Sequence, residues 1–174
     1  ILTSNNGSTD GTDSYLRSTG TSHINQLLNI GAAANFNFLW GASRAPFRLF
    51  LADDDWLDNS YVSQCFEYMS RHACCQVAGQ AFHYVNSTVV GNDSCYQLLD
   101  DCPLIRLHRF CNTITTANGV FYGLRTPQNW FFAREQGSDF CDTYFSILTG
   151  KLAVIPTTRI HRDFSNWHGT NASE

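Results

Sequence analysis

Residues 47–62 read FRLFLADDDWLDNSYV. The apolar run Phe47 to Leu51 has strand character and ends in three consecutive aspartates, Asp53, Asp54 and Asp55. A helical spacing follows over Asp58 to Met69, with Tyr61, Val62, Cys65, Phe66 and Met69 on one face. An apolar strand that delivers carboxylates to its C-terminal end is how α/β proteins build sites for divalent cations and charged ligands. Adjacent aspartates repel one another, so a cation, a cationic side chain or water must compensate them. Carboxylates are also favoured at a helix N-terminus, and Asp58, Asn59 or Ser60 can cap the helix that follows. One aspartate would suffice for that purpose, and three exceed it.

Upstream, Ile1 to Ser4 reads as the end of a strand. The abrupt start suggests a fragment of a longer chain. The strand runs into Asn5-Asn6-Gly7-Ser8-Thr9-Asp10-Gly11-Thr12, a loop dense in turn residues, with a helix expected from about Thr12. His23 to Leu28 suggests a second short strand, and Asn29-Ile30-Gly31 turns the chain into a small-residue helix over Ala32 to Ser43. Asn35 and Asn37 are unusual inside a helix; a solvent-facing position is the expectation for them, with a ligand contact the other option.

Downstream, Gln76 to Val85 resembles a strand, Asn86 to Asp101 is polar and irregular, and Leu104 to Cys111 shows no clear period. Val120 to Arg125 is a strand candidate reaching a turn at Thr126-Pro127. Asp139 opens a helix with Phe140, Tyr144, Ile147 and Leu148 on one face, which Gly150 is placed to cap. Lys151 to Pro156 reads as a last strand. Arg159, His161, Arg162, Asp163 and His168 lie in the tail.

At 174 residues the simplest reading is one domain, with 43% hydrophobic residues to supply a core. A net charge of −4 argues against bulk nucleic-acid binding, because no basic patch neutralises phosphates. No apolar run reaches the length of a membrane span. The seven cysteines show no zinc spacing and read as reduced thiols, in line with a cytoplasmic location. Asn6, Asn86, Asn92 and Asn171 fit the glycosylation sequon, a short pattern common by chance.

These blocks, in this order, resemble the family 2 glycosyltransferases of the GT-A fold. NNGSTDGT looks like the family's nucleotide-contacting loop, and Asn29-Ile30-Gly31 with Ala34, Asn35 and Asn37 looks like its N-x-G-x-x-x-A-x-N stretch. LADDDWLDNSYV resembles the strand that carries the metal-binding aspartates. FYGLRT resembles the acceptor-side strand, GSDF followed by GKLAVIP the catalytic-base helix and its downstream strand, and RIHRDFSN the R-x-H-x-x-S segment. The first strand and loop of the family have no counterpart after Ile1. Asn5 stands where the family has aspartate, Ala52 where many relatives carry another, and Asn59 where the usual residue is proline.

The resemblance implies a Rossmann-like α/β fold with a mainly parallel sheet flanked by helices. It implies transfer of a sugar from a nucleoside-diphosphate donor to a carbohydrate or glycolipid hydroxyl, with inversion. Asn5, Asn6, Ser8, Asp10, Asn29 and Asp53 would bind the donor. A Mg²⁺ or Mn²⁺ ion would be held by Asp54, with Asp55 and His161 as further metal ligands, and would neutralise the departing diphosphate. Asp53 would face the ribose or a metal-bound water, and Asp55 could take either role. His161, Arg159 or Arg162 could reach the diphosphate. Asp139 would be the general base, with Asp142 next in line. A glycolipid acceptor would bring the protein to the inner face of a membrane. The other reading is a non-catalytic domain of the same fold that binds a nucleotide sugar or glycan. A phosphotransferase using the aspartates would want a phosphate-binding lysine, and Lys151 is the chain's single lysine. Trp56, Trp130 and Trp167 are expected to serve packing more than sugar stacking.

Overall fold

The computed structural model describes residues 1–114, 118–130 and 139–165. The chain is mixed α/β. β1 (Thr3–Asn5) and β2 (His23–Asn25) form a two-stranded parallel sheet, with α1 (Thr12–Ser18) between them and α2 (Ala32–Ala42) after β2. A second, six-stranded sheet contains β3 (Trp56–Leu57), β4 (Gln76–Val85), β5 (Thr88–Asn92), β6 (Tyr96–Leu98), β7 (Leu124–Arg125) and β8 (Leu152–Asp163). Its main path runs β3-β8-β4-β5, and β4 and β8 are the parallel centre. α3 (Tyr61–His72), α4 (Pro103–Thr113) and α5 (Asp139–Thr149) flank it.

The central strands are buried on both faces over Gln76–Gly79 and Leu152–Ile155, and these stretches are mostly apolar. Side chains still alternate. Val77 and Ala81 of β4 and Ala153 and Ile155 of β8 pack with Tyr61, Cys65 and Met69 of α3. Ala78, Leu152 and Val154 turn the other way, onto Phe110 of α4 and Ile147 of α5. The spacing of Tyr61, Cys65 and Met69, one helical face, is the one the sequence predicts for α3.

Several expectations change. Phe47–Leu51 is extended but makes only a single bridge, Arg48 with Arg125, whose two N–H groups each donate to the other's carbonyl (3.0 and 2.9 Å). Packing holds it more than hydrogen bonding: Phe47 and Leu49 lean on the α3-side core, while Phe50 sits among Phe36, Trp40, Phe121 and Trp130. β2 is shorter than His23–Leu28, since Leu27 and Leu28 stand exposed.

The segment read as irregular, 86–101, contains β5 and β6. Asn86 and Ser87 both have positive φ (49° and 64°), the two-residue turn that closes a β-hairpin with the correct twist. Leu104 to Cys111 lies in α4. Its pattern is masked because Arg106 points inward and donates to the carbonyls of Ile147 and of Asp100 and Asp101. Val120–Arg125 is mostly a 3₁₀ turn (Asn118–Tyr122), with only Leu124–Arg125 in β7. Gly150 is not a left-handed cap; a Cβ there would collide with the Cys75 side chain.

The largest difference is β8. The expected strand ends at Pro156, but after a register shift, with Gly79 opposite Ile155 and Gln80 opposite Arg159, it continues to Asp163. Arg159, His161 and Arg162 are therefore sheet residues, not a tail. His168 and Trp167 lie outside the described residues.

Candidate functional site

Two polar groups stand at the ends of the strands. The first joins the loops that follow β1 and β2. Asn5 is buried; its Nδ2 donates to Asn25 Oδ1 (3.0 Å) and its Oδ1 accepts from Ser8 N (3.1 Å). Asn6 crosses to the other loop, donating to Asn29 Oδ1 (3.1 Å) and accepting from Ile30 N (3.1 Å). Asn29 in turn accepts from Gly31 N (2.8 Å). Gly7 is in the left-handed region (φ 73°) and lies so close to the backbone of Leu28 and Asn29 that a Cβ has no room. Asp10 accepts from Thr12 N (3.1 Å) and Thr12 Oγ1 (2.5 Å), which lowers its pKa. The asparagines fasten the loops together while Ser8, Asp10 and Asn29 remain exposed.

Asn35 and Asn37 are half-buried, and each side chain is hydrogen-bonded within the protein. Asn35 Oδ1 accepts from Ser4 Oγ (2.6 Å), tying α2 to β1, and Asn37 Oδ1 accepts from Trp130 Nε1 (2.9 Å).

The second group is built on β3 and β8. Asp53 and Asp54 occupy an exposed turn and make no side-chain hydrogen bond or ion pair with the described residues. Asp55 points the other way. Its side chain is only 5% exposed, with Arg162 Nε 3.7 Å away and Asp163 N donating to it (3.2 Å). Burial raises the Asp55 pKa, and the Arg162 guanidinium opposes that shift only in part. Arg162 also lies over the rings of Tyr122 and Phe164 (4.7 and 5.0 Å).

His161 is fully engaged. Its Nε2 lies 2.9 Å from Asp58 Oδ1, its Nδ1 2.9 Å from Tyr84 Oη, and Trp56 stacks on the ring (5.1 Å). An ionised Asp58 only accepts, so Nε2 carries a proton; in the neutral ring Nδ1 then accepts from Tyr84. Asp58 thus serves His161 and does not cap α3 with its side chain.

This arrangement bears on a metal. Asp54 and Asp53 fit the outer, hydrated mode in which one or two carboxylates hold Mg²⁺ and the remaining ligands are phosphate oxygens and water. Among the described residues no group of three or more His, Cys, Asp or Glu side chains could hold an ion alone. Asp55 and His161 are turned toward protein partners; either would have to release one to bind a cation. For Asp139 only the backbone, the first residue of α5, is described. Asp142 is a different case: fully buried and 2.6 Å from Arg125 Nη1, it is closed to an acceptor hydroxyl.

The sequence does not show that His23 and His83 each have an aspartate partner, Asp13 (3.1 Å) and Asp93 (2.8 Å). It also missed Tyr84 and Tyr122. The period-2 alternation of β4 would have placed Tyr84 beside His161, had β8 been read through to Asp163.

The fold matches solved structures of S. aureus TarS. TarS 1–349 with UDP-GlcNAc aligns at a TM-score of 0.70 and 11% identity, covering 94% of this chain and 49% of that one. The UDP complex aligns at 0.68 and 13% identity, covering 94% and 50%. A longer TarS structure aligns at 0.68 and 13% identity, with 94% of this chain against 30% of that one. No family model and no curated protein sequence matches. The fold is that of a GT-A-like glycosyltransferase, and the chain spans about half the length of TarS 1–349. No helix among the described residues is long and apolar enough to cross a membrane.

Proposed function

We propose that this chain carries the donor-binding part of a glycosyltransferase that moves a sugar from a nucleoside diphosphate to an acceptor hydroxyl. The observation that carries the reading is the fold match to TarS, whose structures include UDP and UDP-GlcNAc complexes, combined with a polar loop pair and an unpartnered aspartate turn at strand ends. A uridine nucleotide sugar is the donor class this favours.

In this reading Asn5 and Asn6 hold the loop in shape, and Ser8, Asp10, Asn29 and Asp53 supply the exposed groups that meet the donor. Asp54 holds Mg²⁺ or Mn²⁺, which when bound neutralises the leaving diphosphate. Asp139 accepts the proton of the attacking hydroxyl, and a single displacement inverts the anomeric carbon. The buried ion pair of Asp142 with Arg125 favours Asp139 over it for that role. The acceptor is a carbohydrate or glycolipid, the latter implying peripheral contact with the cytoplasmic face of a membrane.

Asp139→Asn tests the assignment of the base in a transfer assay with UDP-GlcNAc and an acceptor glycan. Donor binding should persist while transfer falls by at least about 10²-fold, the usual contribution of a positioned base. Undiminished transfer would remove Asp139 from the mechanism.

A further inference from the structure

We propose that the open end of one sheet face, from Trp56 on β3 to Asn92 on β5, binds the flat side of a neutral pyranose chain. α4 and α5 cover this face at Ala78, Leu152 and Val154. Further along, the face changes character. His161 is the register partner of Trp56 on one side and of Phe82 on the other, and Phe82 is the partner of Asn92. These four side chains therefore leave the same side of four adjacent strands, in a row about 14 Å long at about 4.8 Å per strand. Trp56 is 45% exposed, Asn92 is exposed, and Phe82 is half-buried. Arg159, two residues before His161, emerges on the same side and is exposed.

The chemistry of the row points to a sugar. A pyranose ring has an apolar C–H face and a rim of hydroxyls, so it needs an aromatic surface with hydrogen-bond donors beside it. The Trp56 ring is parallel to that of His161 (3°, centroids 5.1 Å apart) and lies 5.1 Å from Tyr84. His161 is itself held by Asp58 and Tyr84 (2.9 Å each), which gives the indole a fixed support. The electron-rich indole face complements C–H groups. The donors are Arg159 and Asn92. The Arg159 guanidinium rests on the Phe82 ring (4.9 Å) and makes no ion pair with the described residues. Asn92 Oδ1 accepts from Gln80 Nε2 (3.0 Å), which leaves the Asn92 amide N–H₂ for a ligand. Charge selects a neutral occupant. Asp58 and Asp163 share the face with Arg159, and the chain carries −4 overall, which disfavours nucleic acid and other polyanions. The row itself holds no aliphatic side chain to receive a lipid tail.

The row begins two residues after Asp54. Its role as the place where an acceptor glycan is held rests on the sugar-transfer reading above; the binding itself does not.

The test is an NMR titration of the whole protein with cellotetraose, whose rings present flat C–H faces, following the indole N–H signal of Trp56. Sorbitol, an open-chain polyol without a ring face, is the control. The expected result is a saturable shift with cellotetraose and none with sorbitol at matched hydroxyl concentration. Trp56→Ala should weaken cellotetraose binding at least about fivefold, as for a central aromatic anchor. Arg159→Met, which keeps the packing on Phe82, should weaken it at least about twofold, a loss of one hydrogen bond. A Trp56 signal that ignores cellotetraose, one that follows sorbitol equally, or an affinity unchanged by Trp56→Ala would overturn the proposal. The wild-type titration decides even if a variant fails to fold. UDP binding to the wild-type protein, measured separately, reports on the donor reading, so the two can fail independently.

Discussion

Arg125 Nη1 and Asp142 Oδ2 are 2.6 Å apart, and both side chains are fully buried. The pair links β7 to α5. Arg125 is held further by the carbonyl of Phe121 and by the ring of Trp130 (5.4 Å). Removing one member leaves an uncompensated charge in the core. Asp142→Asn should therefore cost about 3–5 kcal/mol in urea unfolding, with no change in the m-value. A loss below about 1 kcal/mol, the range of an exposed pair, would show that the two are not buried together.

His161 joins three strands, β8 through its own backbone, β3 through Trp56, and β4 through Tyr84. His161→Phe keeps the stacking surface but leaves Asp58 and Tyr84 without their partner. The expected outcome is a stability loss of about 1–3 kcal/mol and faster amide exchange at Trp56 and Leu57, where β3 depends on β8 alone. Unaltered exchange there would separate His161 from the anchoring of β3.

Asp13 supplies a pH dependence. Arg17, then Asn25 and His23, stabilise its carboxylate and hold the pKa at about 2, against an ordinary 3.8. A depressed folded-state pKa means that the unfolded chain takes up the proton first as pH falls. The contribution is thus complete above pH about 4 and is lost toward pH about 2. Asp13→Asn should lower the stability at pH 6 and make progressively less difference between pH 4 and pH 2. A difference between wild type and variant that does not narrow would contradict the pairing. The site is exposed, so solvent screens the effect.

The cysteines divide by burial. Cys65 and Cys74 are buried, and burial pushes each thiol up to about 12. Cys95, Cys102, Cys111 and Cys141 are exposed. Alkylation by iodoacetamide at pH 8 should label the exposed four in the native protein and reach Cys65 and Cys74 only after denaturation, because the thiolate is the reacting form. Early labelling of Cys65 would mean that α3 does not pack on β4 as described.

Much of the architecture was legible in the sequence. The spacing of Tyr61, Cys65 and Met69 placed α3, and Gln76 to Val85 and Lys151 to Pro156 were legible as strands. What escaped depends on long-range partners. The hairpin turn at Asn86-Ser87 lacks the usual glycine. α4 hides its period behind Arg106, whose partners lie in α5 and the preceding loop. β8 runs past Pro156 because a register shift against Gly79 absorbs the interruption.

The site was legible as residue types but not as partnerships. Asp53, Asp54 and Asp55 are consecutive, yet the first two face solvent and the third meets Arg162, more than one hundred residues away. Adjacent residues in a turn point in different directions, and a sequence does not say which one finds a buried counter-charge. For the same reason Asp142, one helical turn from Asp139, looked like an alternative base until Arg125 was seen beside it.

The most direct test is calorimetric titration of the protein with UDP, with and without Mn²⁺, on the wild type and Asp54→Asn. The account predicts saturable binding that Mn²⁺ tightens, and a matching thermal stabilisation worth about 2.7 kcal/mol at one hundred times Kd. In Asp54→Asn the Mn²⁺ effect should disappear. Absence of UDP binding under both conditions would contradict the assignment of a nucleotide-sugar site to this fold.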